Sequence, residues 1–269
     1  MNNASLTILG CGSARPTFQN SPSGQVLDLC DKSFLIDCGE GTQLHIARLG
    51  VRTSRLYNIF ISHLHGDHCY GLIGLLSTLS MQHRLQPMHI YAHADLETLL
   101  RPWLSYFGEE YSYDIVFHPI NPRKREVIFE DRTVMVETIP LKHSVPCCGF
   151  LFSEIHRQPD GEGGYVRVPH KRYAYCSDTR YTETFLDQIR GVDMLYHEST
   201  YLNEHLHLCH NVMHSTAEQA ATIAQKAEVG RLLLGHYSAR VDDHELFLNE
   251  AQPVFENTQL AHEGEKIEF

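Results

Sequence analysis

Four side chains that can bind metal ions lie within six residues of one another in the first third of the chain. They are His63, His65, Asp67 and His68. An apolar run at residues 59–61 predicts a short buried strand before them, and a helical pattern follows from Gly71. Alternate residues of an extended segment point to one side, so His63 and His65 can reach a common ion. Asp67 and His68 lie past the bend and would more easily reach a second ion, and paired ions clamp the attacking and leaving oxygens in phosphodiester hydrolysis.

Polar residues also follow four other predicted strands. These residues are His143, Asp178, Glu198 and His236. Strands and helices alternate in the first half of the chain, which predicts an α/β fold with a mixed sheet and helices outside it. The chain has 19 histidines, so a histidine-rich turn could arise by chance, and a lone histidine such as His143 is often filler. Convergence of several strand ends on one rim of a sheet favours a site for two ions over either alternative.

Composition limits the classes of protein that fit. The 269 residues are 42% hydrophobic, which is enough for the single domain that we expect over residues 1–269. A net charge of −11 excludes a generally basic nucleic-acid-binding surface, so any polyanion must be bound by local cations. The N-terminus does not resemble a signal peptide, and no apolar run reaches the length of a membrane span. Eight cysteines without a CxxC pair fit reduced thiols, and we expect a cytoplasmic protein.

Several other segments leave alternatives open. The glycine-rich residues 10–17 could cradle a phosphate, but a tight turn is the more frequent use of such a sequence. Asp37 could contact a metal ion or brace its own turn. Residues 156–170 change in composition and predict a surface loop. Three further histidines are expected to be mainly solvated, with a metal site as the alternative: His205, His207 and His210.

The chain resembles the ribonuclease Z family of the metallo-β-lactamase superfamily nearly end to end. The resemblance rests on residues 10–17, 37–40, 62–68, 142–143, 177–179, 197–200, 214–216 and 236–240. It implies a four-layered αββα sandwich with the site at one edge. It further implies two zinc ions, one bound by His63, His65 and His143 and the other by Asp67, His68 and His236, with Asp178 bridging them.

The same resemblance implies roles in proton transfer. Asp67 would accept a proton from the attacking water, and His214, oriented by Glu198, would protonate the departing 3′-oxygen. His197 or Asp37 would support the metal ligands from behind. The implied activity is removal of the 3′ trailer of precursor tRNA by a homodimer that binds RNA through local cations. Candidate cations are Arg48, Arg52, Arg55, Arg123, Lys124, Arg125, Arg167, Lys171 and Arg172.

The chain departs from the family in one segment that bears on substrate choice. Bacterial members carry a long flexible arm that grips tRNA, whereas residues 153–171 are too few to hold it. Two alternatives therefore remain beside tRNA processing. One is a phosphodiesterase or arylsulfatase-like hydrolase that acts on small esters. The other is a partner subunit with a vestigial site.

Overall fold

The computed structural model describes residues 4–107, 111–161 and 164–269, and in these residues it contains two seven-stranded sheets. The first sheet has the order β14-β1-β2-β3-β4-β5-β6, with bounds Lys266–Glu268, Ser5–Gly10, Gly24–Leu29, Lys32–Cys38, Leu56–Phe60, Met88–His93 and Ile115–Ile120. The second has the order β13-β12-β11-β10-β9-β8-β7, with bounds Thr258–Leu260, Leu232–Gly235, Met194–Glu198, Tyr165–Cys176, Cys148–Pro159, Val134–Pro140 and Val127–Glu130. The helices α1–α8 are Thr42–Arg48, Gly66–Cys69, Leu72–Met81, Asp95–Phe107, Leu186–Ile189, Leu206–Val212, Ala217–Lys226 and Glu245–Ala251.

The strands of the first sheet bury both of their faces. In β3, Phe34 and Ile36 face the second sheet, while Leu35 between them belongs to the apolar cluster that contains α1, α3 and α4. This period of two is what a strand covered on both faces requires. Aromatic rings join the sheets: Phe60 lies 5.5 Å from Phe150 and 5.3 Å from Phe152 between ring centroids.

Helix α7 covers the second sheet from the other side. Its small residues Ala220, Ala221 and Ala224 are fully buried in the same core as the inner faces of both sheets. The helix begins at Thr216 with a capping box, in which the Thr216 hydroxyl and the Gln219 side chain each accept a backbone N–H. The layers therefore follow the order helix, sheet, sheet, helix, as expected from the sequence.

The loop that the composition predicted at residues 156–170 is a β-hairpin, so this prediction was wrong. Strands β9 and β10 pair from Tyr175 opposite Phe150 out to Tyr165 opposite Pro159. The outer part of the hairpin, including Arg157 and Gln158, is exposed. Paired main chains satisfy one another's hydrogen bonds in solvent, whereas the side chains show no alternation because neither face is covered. For this reason the polar sequence does not show the period of two that predicts a strand.

Helix α6 occupies part of the histidine-rich segment; His207 is exposed, His205 is half-buried, and the side chain of His210 lies outside the described residues. Within the ranges given above, no helix is both long and apolar enough to cross a bilayer.

Candidate metal centre and proton-transfer pair

The topology brings the predicted residues to one edge of the sandwich. Strands β10, β11 and β12 are parallel neighbours, and they end just before or at Asp178, Glu198 and His236. Strand β8, antiparallel to β9, runs in the same direction as β10 and leads to His143. In the first sheet β4 leads to His63. Carboxyl ends of strands that run the same way meet at one edge, which is where open α/β sheets place their sites.

Three histidines and one carboxylate oxygen form the first donor group. The Nδ1 atom of His65 lies 3.1 Å from Nε2 of His63 and 3.2 Å from Nε2 of His143. Oδ2 of Asp178 lies 3.5 Å from Nε2 of His63 and 3.8 Å from Nε2 of His143. Donor atoms of all four residues lie within 4.8 Å of one another, which is close enough to hold one metal ion.

The second donor group uses the other oxygen of the same carboxylate. Nε2 of His68 and Nε2 of His236 are 3.3 Å apart, and Oδ1 of Asp178 lies 3.5 Å and 3.2 Å from them. Oδ2 of Asp67 is within 3.6 Å of both nitrogens. Asp178 thus stands between the two groups, with one oxygen directed to each.

The donor set fits two divalent cations. Oδ1 of Asp178 is buried without a hydrogen-bond partner, which is costly unless a cation or a proton satisfies it. Burial lowers the pKa of His63, His65 and His143, so these imidazoles are neutral and keep a lone pair for a metal. Burial alone would also lower the pKa of His68, but three nearby carboxylates raise it, which shows that this position favours positive charge. Imidazole and carboxylate ligands in these numbers suit zinc.

Hydrogen bonds behind the histidines fix which ring nitrogen is free. Nδ1 of His68 donates to Oδ2 of Asp37 at 2.7 Å, and Nδ1 of His143 donates to the Met213 carbonyl at 3.1 Å. Because the Thr200 hydroxyl donates to a carboxylate, it accepts from Nδ1 of His236 at 2.9 Å. In each case Nε2 faces the donor group, where it would be the atom that binds a cation.

Asp37 holds the His68 ring in place and is itself fixed by several hydrogen bonds. It is fully buried at a left-handed φ of 56°, and its oxygens accept from Ser62 N, the Ser62 hydroxyl and the Tyr175 hydroxyl at 2.6–2.8 Å. Of the two supporting residues expected from the sequence, Asp37 reaches a histidine of the cluster. His197 instead donates to the Glu198 carbonyl at 2.7 Å.

The partly buried His214 pairs with the fully buried Glu198 next to both donor groups. Nδ1 of His214 lies 3.0 Å from Oε1 of Glu198, and the same carboxylate accepts from the backbone N–H groups of Thr179, Ser215 and Thr200. Burial opposes the charged form of His214, but Glu198 outweighs burial and raises the pKa of the imidazole to about 9. The His214 ring centroid is 5.0 Å from that of His143 and 5.4 Å from that of His236, so the pair can deliver a proton next to the metal centre.

The glycine-rich segment is a tight turn. The N–H groups of Gly12 and Ser13 donate to carbonyls of Ser21 and Tyr237, and the N–H of Ala14 donates to Oδ2 of Asp67 at 2.7 Å. These groups are therefore occupied by the protein itself and are not free to cradle a phosphate. Ala14 has a φ of 66° in this turn. The segment instead positions Asp67.

Sequence reasoning missed several of these supporting contacts. Thr200 joins Glu198, His214 and His236 through one hydroxyl, and its place two residues after Glu198 was the only signal available. Ala14 and Met213 act through backbone atoms. No side-chain pattern marks such contacts.

The two-sheet sandwich with its histidine and aspartate cluster at one edge defines a metallo-β-lactamase-fold hydrolase. Human tRNase Z, short form, superposes with a TM-score of 0.81 and 26% identity over 98% of each chain. The metallo-beta-lactamase fold protein YhfI from Bacillus subtilis shares the fold with a TM-score of 0.78 at 23% identity over all of both chains. Residues 4–259 match a family model described as Anti-Pycsar protein Apyc1.

The chain belongs to the ribonuclease Z family. The Ribonuclease Z of Phocaeicola vulgatus is 42% identical over 99% of this chain and 98% of its own length, and that of Azobacteroides pseudotrichonymphae is 44% identical over 98% of each. The first alignment runs over 302 residues although this chain has 269, so that relative contains residues that this chain lacks. The family consists of hydrolytic nucleases that use divalent metal ions, and both donor groups could bind such ions.

Proposed function

We propose that the protein is a zinc-dependent endoribonuclease that removes the 3′ trailer of precursor tRNA, leaving a 3′-hydroxyl on the tRNA and a 5′-phosphate on the trailer. The observation that carries the proposal is the position of Asp178 between two donor groups that both adjoin the His214–Glu198 pair. The relatives named Ribonuclease Z and the human tRNase Z structure support the choice of substrate.

Each donor group would hold one zinc ion. His63, His65 and His143 would bind the first, and Asp67, His68 and His236 would bind the second, with Asp178 shared. Zinc at these positions would bring the pKa of a bound water to about 7 and neutralise charge on the phosphate.

Two side chains of this protein, those of Asp67 and His214, transfer the protons of the reaction. Asp67 accepts the proton of the attacking water; burial would raise its pKa, but His68 and His236 hold the pKa of this carboxyl well below its usual range. His214 donates its proton to the departing 3′-oxygen. Glu198 holds the imidazole in position, and its four hydrogen bonds from Thr179, Thr200 and Ser215 keep the carboxylate fixed.

Cations beside the site offset the acidic total charge of the protein. Exposed Arg123, Lys142 and Arg180 line a cavity of about 320 Å³ that His143 also lines. Arg15 and Arg240 line another, of about 350 Å³, next to Ala14. Several other candidate cations are paired with acids and are less available: Arg125 with Glu137, Arg167 with Glu130 and Lys171 with Asp193. The cavity-lining cations suit an RNA backbone that crosses the metal centre.

Removal of these charges should weaken RNA binding and leave the chemistry intact. We expect Arg123→Ala combined with Arg180→Ala to raise KM for precursor tRNA and to lower the salt dependence of binding by about one unit of log–log slope per lost phosphate contact. Turnover of bis-p-nitrophenyl phosphate should be unchanged. Arg190→Ala removes a cation paired with Asp187 and Glu228 and serves as the control. Equal loss of turnover with both substrates would contradict this assignment.

Asp37→Asn should weaken zinc binding without unfolding the protein. Asparagine tolerates the left-handed φ of Asp37, but it cannot hold the His68 ring by accepting its Nδ1 proton as strongly as a carboxylate. We expect zinc affinity to fall by roughly 10- to 100-fold, as for other residues that support metal ligands. A competition titration with a chromophoric chelator measures the change. Asp31→Asn, at a φ of 62° in the exposed β2–β3 turn, is the matched control and should bind zinc normally.

The main alternative keeps the metal centre and changes the substrate to a small ester. It is favoured by the short connection between β9, which ends at Pro159, and β10, which begins at Tyr165, because five residues are too few for a long arm. The test is to give the zinc-loaded protein a precursor tRNA with a 3′ trailer and, separately, bis-p-nitrophenyl phosphate. Turnover of the small ester with the trailer intact would reject tRNA processing. Much less than two zinc ions per chain would instead favour a partner subunit with a vestigial site.

The protein is proposed to act as a homodimer of one-domain chains in the cytoplasm. Light scattering coupled to size-exclusion chromatography should give twice the chain mass of 30.8 kDa. A mass of one chain at micromolar concentration would reject the dimer.

A further inference from the structure

A second set of metal-capable side chains lies on the hairpin of β9 and β10. Glu154 and His156 are two residues apart on β9, so their side chains leave the same face of the strand. His170 comes from β10, where the strand register shifts between Pro169 and Arg172. The rings of His156 and His170 stack with centroids 4.4 Å apart and planes within 5° of parallel. The hairpin therefore brings two imidazoles and a carboxylate together.

Both imidazoles face the same carboxylate. Nε2 of His156 lies 2.7 Å from Oε1 of Glu154, and Nδ1 of His170 lies 3.3 Å from Oε2. One donor atom of each residue lies within 4.8 Å of the others, the spacing that also describes the donor groups at the sheet edge. None of these three residues belongs to those groups.

Ordinary ion pairing explains this arrangement only in part. One protonated histidine beside Glu154 would form a surface ion pair of small effect. Two protonated rings stacked at 4.4 Å would repel each other. A single cation bound by one nitrogen from each ring and by the carboxylate satisfies all three groups at once. Two imidazoles and a carboxylate suit zinc, nickel or copper.

We infer that Glu154, His156 and His170 form a third site for a divalent transition-metal ion. The side chains are 21%, 43% and 54% exposed, so the ion can enter from solvent and keeps open coordination positions. Its ligands come from both strands where the hairpin leaves the covered part of the second sheet. The ion therefore joins β9 to β10 at the base of the projecting hairpin.

Zinc counting tests the third site. The full chain is equilibrated by dialysis against micromolar free zinc, and bound zinc is measured by mass spectrometry. We expect His156→Ala combined with His170→Ala to bind one zinc ion fewer per chain than the unmodified protein, with turnover of bis-p-nitrophenyl phosphate unchanged. His83→Ala combined with His207→Ala removes two exposed histidines elsewhere and should bind as much zinc as the unmodified protein. Equal zinc content in the hairpin variant and the unmodified protein would overturn the inference.

A second background separates this site from the proposed catalytic centre. In an Asp178→Asn chain the zinc of the sheet-edge groups should be lost, and one ion should remain bound through the hairpin. Adding His156→Ala and His170→Ala to that chain should remove the remaining ion. An Asp178→Asn chain that binds no zinc would exclude the hairpin site. If the Asp178→Asn chain still binds one zinc ion after the hairpin histidines are removed, that ion is bound elsewhere. This result would also overturn the hairpin site.

Discussion

Asp178→Asn is expected to remove zinc from the sheet-edge groups and to abolish RNA cleavage. The substitution keeps the size of the side chain and removes the charge that the two groups share. Oδ1 and Oδ2 of Asp178 each lie within 3.8 Å of two histidine nitrogens, so a single change affects both groups. Cleavage should fall to the level of protein from which zinc has been stripped with a chelator. Zinc analysis and a trailer-cleavage assay measure the two effects on the same preparation.

Controls distinguish loss of metal from loss of fold. Asp187→Asn changes an aspartate whose side chain is 97% exposed and should leave zinc content and cleavage unchanged. The Asp178→Asn chain should retain the circular dichroism spectrum of the unmodified protein, because the substitution keeps the size of the side chain and changes no residue of the two apolar cores. Two zinc ions held at the sheet edge of a folded Asp178→Asn chain would contradict the shared position of this carboxylate.

His214→Ala is expected to keep zinc and to slow cleavage by roughly 10²- to 10⁴-fold, the usual effect of losing a general acid. His214 pairs with Glu198 through Nδ1, which leaves Nε2 for the leaving group. His214 also lies close enough to Asp178 and His236 to be a metal ligand, so zinc content decides between the two roles. A His214→Ala chain that loses one zinc ion would show that His214 is a ligand.

The choice of leaving group tests the proton transfer itself. The nitrophenolate of bis-p-nitrophenyl phosphate departs without a proton, whereas the 3′-oxygen of RNA needs one. His214→Ala should therefore slow RNA cleavage much more than ester turnover. His207→Ala, which removes an exposed histidine from the same segment, is the control. Equal slowing with both substrates would assign His214 a structural role.

Predictions from the sequence were most successful where an apolar run in the sequence corresponds to a strand that ends at the edge of a sheet. Apolar runs that end in polar residues located the strands β4, β10, β11 and β12, and the structure brings the residues at their ends together. A strand buried on both faces must be apolar along its length, so the first polar residue marks the sheet edge. The outer part of the hairpin of β9 and β10, over residues 156–170, was missed because solvent covers both of its faces.

Residue type and short-range periodicity are enough to predict the α/β class and to select candidate residues for the metal centre. How those candidate residues are arranged depends on the tertiary structure. It directed the two oxygens of Asp178 to different groups, fixed the free nitrogen of His68 through Asp37, and gathered Glu154, His156 and His170 on the hairpin. These arrangements depend on distances between segments far apart in the chain. Strand pairing and packing set such distances, and no local pattern contains them.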